Sequence, residues 1–294
     1  MLPLWRRLPV IVRAVLAGGV VAIAGTGPWA VLVALNSKHG VAVPWAVPPT
    51  ALYLWLYWRW VRGAGWPRAT AEARRTSCRA NSLSEEVWGA ALPAGVLGLI
   101  ALVLVFRVVN RLVSLPAQPT EDVAHVPLVT LVPWVVMGSL VAGVTEESAF
   151  RGYLQGPIER RHGPVVAMLM TGALFGVAHF SHAETTLGLM PFYFSVAIIY
   201  GTLAYLTNSI LPGMVFHAGG NMLGAIGLFA GGRAEWQTSA TPGPLVWQTG
   251  ADATFWLSAV AALGALGAAV WAYAALARVA RRAPELAPTP EATQ

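Results

Sequence analysis

Read along the chain, apolar residues gather in long blocks and polar residues gather between them. The blocks cover 9–35, 45–61, 87–109, 126–145, 164–182, 187–207, 210–230 and 253–277. A membrane-spanning helix needs about 20 mostly apolar residues. The pattern therefore predicts about eight transmembrane helices in an all-α, polytopic membrane helix bundle. The second block is the weakest, because Pro48 and Pro49 interrupt it. The fourth is expected to run on as helix to about Leu154, where Gly156-Pro157 breaks it. The first block is long and followed by others, so it reads as a membrane helix and not as a cleavable leader. The last residues, APELAPTPEATQ, are Pro-rich and polar and read as a disordered tail. Four segments follow: 1–125 with the N-terminal helices and a basic loop, a core at 126–230, the last loop and helix at 231–282, and the tail at 283–294.

Composition sharpens this picture. The 294 residues are 56% hydrophobic and 11% charged, with a mean hydropathy of +0.60. An average soluble domain carries roughly 25% charged residues. A net charge of +6 is compatible with nucleic acid or anionic lipid as partner, but the placement of the charges argues for topology. With the N-terminus inside, the cytoplasmic side receives Arg6 and Arg7, the arginines from Arg59 to Arg79, Arg151, Arg160 and Arg161, and Arg278, Arg281 and Arg282. The outside keeps Lys38, Arg107, Arg111 and Arg233. This asymmetry places both termini in the cytoplasm, the bilayer as partner, and no nucleic acid. The thirteen tryptophans fit interfacial belts. Lys38 is the lone lysine in an Ala-, Gly- and Pro-rich chain. That usage suggests a GC-rich bacterial genome, hence a bacterial cytoplasmic membrane. The single cysteine, Cys78, excludes an internal disulfide.

Three polar constellations interrupt the apolar blocks. The first is Glu146-Glu147-Ser148-Ala149-Phe150-Arg151. Glu147 and Arg151 are four apart and share a helix face, so Arg151 can pair with Glu147. Glu146 lies about 100° round the helix and stays outside that pair. A carboxylate so placed suits general acid or base work, and a structural charge cluster at a helix end is the plainer alternative. The second is Phe175-Gly176-Val177-Ala178-His179 in the fifth block, with His182 one turn on at the membrane edge. A lone membrane histidine often serves helix–helix hydrogen bonding. The third is His217-Ala218-Gly219-Gly220-Asn221, where His217 and Asn221 share a face. Small-residue packing explains its glycines, but explains the His/Asn pair less well.

Spacing lets the three meet. The fourth and fifth blocks form a hairpin turning near Arg161-His162, and Glu146 and His179 each lie ~25 Å from that turn. His217 lies ~12 Å from the cytoplasmic end of its own block. If half the hairpin protrudes, Glu146, His179, His217 and Asn221 share one depth, in a cavity open to the cytoplasm. A carboxylate, two histidines and an amide form a hydrolytic set. Glu146 and His179 can hold and deprotonate a water, and His217 and Asn221 can stabilise an oxyanion. Ser148 faces away from Glu146, and Cys78 sits in a cytoplasmic loop, so neither is favoured as nucleophile. No cofactor is the favoured reading. Zinc on Glu146, His179 and His217 is the alternative, although the HExxH spacing is absent.

In this order, on these blocks, the motifs resemble the CPBP family of intramembrane proteases, which includes CAAX prenyl endopeptidases of the Ras-converting-enzyme type and bacteriocin-processing or immunity (Abi) proteins. Its pattern of EExxxR, FxxxH and HxxxN is matched by Glu146-Glu147…Arg151, Phe175…His179 and His217…Asn221. The resemblance covers about 126–230. It implies an eight-helix bundle, with Glu146 activating water and His179 as its partner. Glu147 and Arg151, with Phe175 of the second motif, would support the site, and His217 and Asn221 would form the oxyanion hole. Metal-dependent and metal-free chemistry are both described for it. It implies an endopeptidase acting on a membrane-associated peptide or lipidated protein, CAAX-like or bacteriocin-type. A non-catalytic immunity or binding protein on the same scaffold is the alternative. A proton-coupled transporter ranks last, since no internal repeat stands out.

Overall fold

The computed structural model describes residues 5, 7–114, 125–179, 190–230 (226–230 as backbone) and 244–282. His182, Arg233 and the 283–294 tail lie outside the described residues. Among the described residues all regular structure is helical: α1 (Val10–Lys38), α2 (Val47–Val61), a short 3₁₀ turn (Arg68–Thr70), α3 (Ala71–Cys78), α4 (Glu85–Leu112), α5 (Leu128–Glu146), a π-helix (Glu147–Gln155), α6 (Gly156–His162), α7 (Pro164–Ala178), α8 (Met190–Thr207), α9 (Leu211–Ala230), α10 (Val246–Thr249) and α11 (Ala253–Arg282). Among the described residues, five stretches are long and apolar enough to cross a membrane: Val10–Lys38, Glu85–Leu112, Leu128–His162, Met190–Thr207 and Ala253–Arg282. Over its described residues, each apolar block read from the sequence carries a helix. At 15 residues each, α2 and α7 reach only ~22 Å, less than the ~30 Å hydrocarbon core. Large apolar side chains such as Val20, Ile23, Leu263 and Val270 are exposed on α1 and α11, as a lipid solvent allows. The protein is an all-α, multi-pass membrane protein.

The chain divides into two compact units. The first gathers the described residues of Met1–Ala80, Pro119–Thr171 and Gly213–Thr238, and the second those of Asn81–Gln118, Gly172–Pro212 and Ser239–Gln294.

In the first unit, α1 lies against the end of α5 and the π-helix. Gly18 and Gly25, two turns apart, make this possible. A Cβ at Gly25 would stand 2.5 Å from Cβ of Thr145, and one at Gly18 would stand 3.2 Å from the carbonyl oxygen of Ala149. Small residues that let backbones approach are the usual solution in membranes. Asn36 is fully buried and locks the α1–α2 turn. Its amide donates to the carbonyls of Gly40 and Val43, and its Oδ1 accepts from Ala46 N–H and Trp134 Nε1. Pro48 does not interrupt α2. It stands in the first turn, where a missing N–H costs nothing.

In the second unit, α4, α8 and α11 pack together. A Cβ at Gly98 would meet the Tyr273 hydroxyl at 3.1 Å and Ile199 Cγ2 at 3.4 Å. Ser84 caps α4 by accepting from Val87 N–H, with Glu85 and Glu86 in the first turn facing the positive end of the helix dipole. Arg111 ties the far end of α4 to the Pro244 carbonyl and to Asp252, which holds the Asp252 carboxyl below its ordinary range.

Two expectations need correction. Gly156-Pro157 does not end the fourth block. The helix widens to π geometry at Glu147, returns to α at Gly156 and runs to His162, where Gly163 at φ +85 ends it. Pro157 falls in the first turn of α6, directly after the π-helix, a position a proline tolerates. Likewise, Cys78 is not on an open loop. It closes helix α3 and is fully buried.

Candidate active site

The first unit carries the charged cluster. α5 delivers Glu146 as its last residue, and Glu147 opens the π-helix. π-helical turns are rare and tend to occur at functional positions. The pairing read from the sequence is present: Arg151 Nη1 donates to Glu147 Oε1 at 2.9 Å, with both side chains fully buried. The same oxygen accepts from His217 Nδ1 at 2.8 Å. An ionised carboxylate only accepts, so Nδ1 carries the proton. His217 Nε2 then faces Glu146 Oε2 at 3.7 Å, too long for a direct hydrogen bond. Glu146 is about one-fifth exposed, which leaves it the more accessible of the two carboxylates. One carboxylate oxygen on each, Oε2, is buried without a hydrogen-bond partner.

Two glycines that sequence reasoning passed over bring His217 in. A Cβ at Gly143 would meet the Met214 carbonyl and Ala218 Cβ, each at 3.0 Å. A Cβ at Gly213 would stand 2.7 Å from Glu147 Oε2. Gly213 lies one turn before His217, on the same face of α9, so the signal was a glycine four residues upstream of a histidine. Ser148 donates its hydroxyl to the Val144 carbonyl at 2.7 Å and is fully buried. Asn221, one turn beyond the buried His217, is exposed.

His179 belongs to the second unit, at the end of α7. Its Nδ1 donates to the Phe175 carbonyl at 2.7 Å, which fixes the tautomer with Nε2 as the basic nitrogen. The ring stacks on Tyr193 at 4.1 Å and lies 4.5 Å from Phe175. Phe175 is thus both backbone acceptor and packing partner for His179. Tyr193, on α8, had no motif to flag it.

A catalytic zinc needs three convergent protein donors. Among the described residues no three His, Cys, Asp or Glu side chains stand in that arrangement. Glu147 Oε1 and His217 Nδ1 are committed to each other.

Residues 128–223 match the family model described as Type II CAAX prenyl endopeptidase Rce1-like. The matched segment, about a third of the chain, is similar to the Rce1-like domain of CAAX prenyl endopeptidases. All seven site residues named from the sequence fall within it, from Glu146 to Asn221. The Rce1-like domain is that of an intramembrane endopeptidase, which fits a multi-pass chain with ionisable groups buried among its helices. Neither the curated proteins nor the solved structures give a match.

Proposed function

We propose that the protein is an intramembrane endopeptidase that hydrolyses a peptide bond of a membrane-associated substrate, with Glu146 as the base that activates water. The observation that carries this is the placement of His217. Its Nδ1 is held by Glu147, itself neutralised by Arg151, and its Nε2 is aimed at Glu146 across 3.7 Å. One carboxylate positions and the other is accessible for proton transfer, a division of labour suited to general acid–base catalysis.

In this reading the Rce1-like pattern adds His179 as the partner of Glu146, with its tautomer set by the Phe175 carbonyl. Glu146 takes a proton from water, and the hydroxide attacks the scissile carbonyl carbon. The resulting oxyanion takes hydrogen bonds from His217 and Asn221. For His217 this requires a proton on Nε2, because Nδ1 is already engaged. The proton then passes to the departing amine as the C–N bond breaks. The substrate class is a peptide or lipidated protein presented at the bilayer, CAAX-like or bacteriocin-type. The enclosing membrane is a bacterial cytoplasmic membrane with both chain ends inside. No metal is assigned a step.

The test is cleavage of a panel of quenched fluorescent peptides, prenylated and unmodified, by the purified protein in detergent. Cleavage that survives a zinc chelator supports the reading. Loss of cleavage with chelator and its return with zinc would contradict the metal-free mechanism. No cleavage of any peptide, with the bundle intact, would favour the non-catalytic immunity or binding protein.

A further inference from the structure

Arg79 adopts a backbone conformation that few arginines take. It is left-handed, at φ +56 and ψ +29, and caps the C-terminus of α3. Such a conformation is unfavourable for a residue with a side chain and persists only where its surroundings hold it. Here the side chain is buried and aimed at the end of the π-helix. Its stem passes over Gly156, where an added Cβ would come within 3.1 Å of Arg79 Cδ. Its Nη1 and Nη2 donate to the two oxygens of Glu159, both at 3.2 Å, a forked geometry specific to arginine. Glu159 Oε2 also accepts from Gln155, the last residue of the π-helix, at 3.2 Å.

The same segment grips the π-helix at two more points. A Cβ at Gly152 would stand 2.8 Å from the carbonyl oxygens of Ser77 and Cys78. The Tyr153 hydroxyl donates to the carbonyls of Val61 and Arg74, at 3.3 and 3.4 Å. A π-helix is less favourable than the α-helix it interrupts. If its far end were released, the turn would relax toward α geometry, and residues beyond the relaxed point would rotate about the axis.

We propose that Arg79 is a positioning residue for the Glu146/Glu147 carboxylates. By fixing Gln155 and Glu159 it keeps the π-helix from relaxing, and so keeps Arg151 and Glu147 in register with His217. The kinetic half of this inference rests on the endopeptidase reading, and the conformational half does not.

The experiment uses the full chain in detergent and compares wild type with Arg79→Gln and with Glu159→Gln, which removes the same contact from the other side. Amide hydrogen exchange and peptide cleavage are read together. Expected in both variants is exchange at least tenfold faster over 147–155 with α4 unchanged, and kcat lowered about tenfold with KM within twofold. Unchanged exchange over 147–155 overturns the proposal, and so does faster exchange with wild-type kcat. Should Arg79→Gln not fold, Glu159→Gln carries both readouts. A wild-type protein that cleaves no peptide counts against the endopeptidase reading, and exchange alone then decides the clamp.

Discussion

Glu147 and Arg151 face each other with no exposed surface on either side chain. Removing one partner of a buried pair leaves the other charged and unpaired, typically at ~3–5 kcal/mol. Glu147→Gln should therefore lower the thermal unfolding midpoint in detergent well below wild type. Adding Arg151→Met should cost less than the two single losses together, because the orphaned charge goes with it. A strictly additive double variant would show that the pair is not coupled. Cys78 makes a separate case. Burial pushes its thiol up to about 12, so at pH 8 it is almost wholly neutral, and the thiolate is the reactive form. Maleimide labelling at pH 8 should be at least a hundredfold slower in the folded protein than in denaturant. Rapid labelling of the folded form would show that α3 does not cover the thiol.

Among the elements, the π-helix is where the sequence was least readable. The blocks were legible because a crossing helix must be about 20 apolar residues long, and Glu147–Arg151 was legible because four-residue spacing brings side chains together. Widening to π geometry has no comparable signature. It depends on α1 and α3 closing on 147–155 from far away in sequence, so Gly156-Pro157 looked like a stop. Helix α3 was missed for a related reason. Its eight residues, AEARRTSC, are polar and short, and they hold their place by tertiary contact: Arg74 donates to the carbonyls of Gly63, Gly65 and Pro67 and stacks on Trp60 at 4.7 Å. The sharpest packing test is Gly152→Val. The atoms it would strike are backbone carbonyls, which cannot swing aside, so a cost of about 1–3 kcal/mol is expected. The apparent unfolding midpoint should fall by several degrees, and an unchanged midpoint would mean that α3 does not bear on the π-helix.

For the whole molecule, the arginine-based topology makes a claim that loop contacts can check. Loops assigned to one side of the bilayer should be able to touch, and loops on opposite sides should not. Arg79 meets Glu159 and Asn81 meets Asn208 and Ser209, all assigned to the cytoplasmic side. Arg111 meets Asp252 and the α1–α2 turn meets Trp134, all assigned by the arginine pattern to the opposite side. The candidate site was legible to the level of its motifs. Glu147 and Arg151 pair as their four-residue spacing suggested, and His217 joins the two glutamates in the same unit, whereas His179 belongs to the second unit and Asn221 is exposed. What the motifs did not reveal was that His217 reaches them through Gly143 and Gly213, or that its Nδ1 binds the structural carboxylate. The central claim concerns Glu146, and it is tested most directly by the turnover of Glu146→Gln at saturating substrate, in protein whose unfolding midpoint matches wild type. General-base catalysis by a positioned carboxylate contributes roughly 10²–10⁴-fold, so kcat should fall by at least that factor with KM little changed. Turnover within tenfold of wild type would remove Glu146 from the role of base.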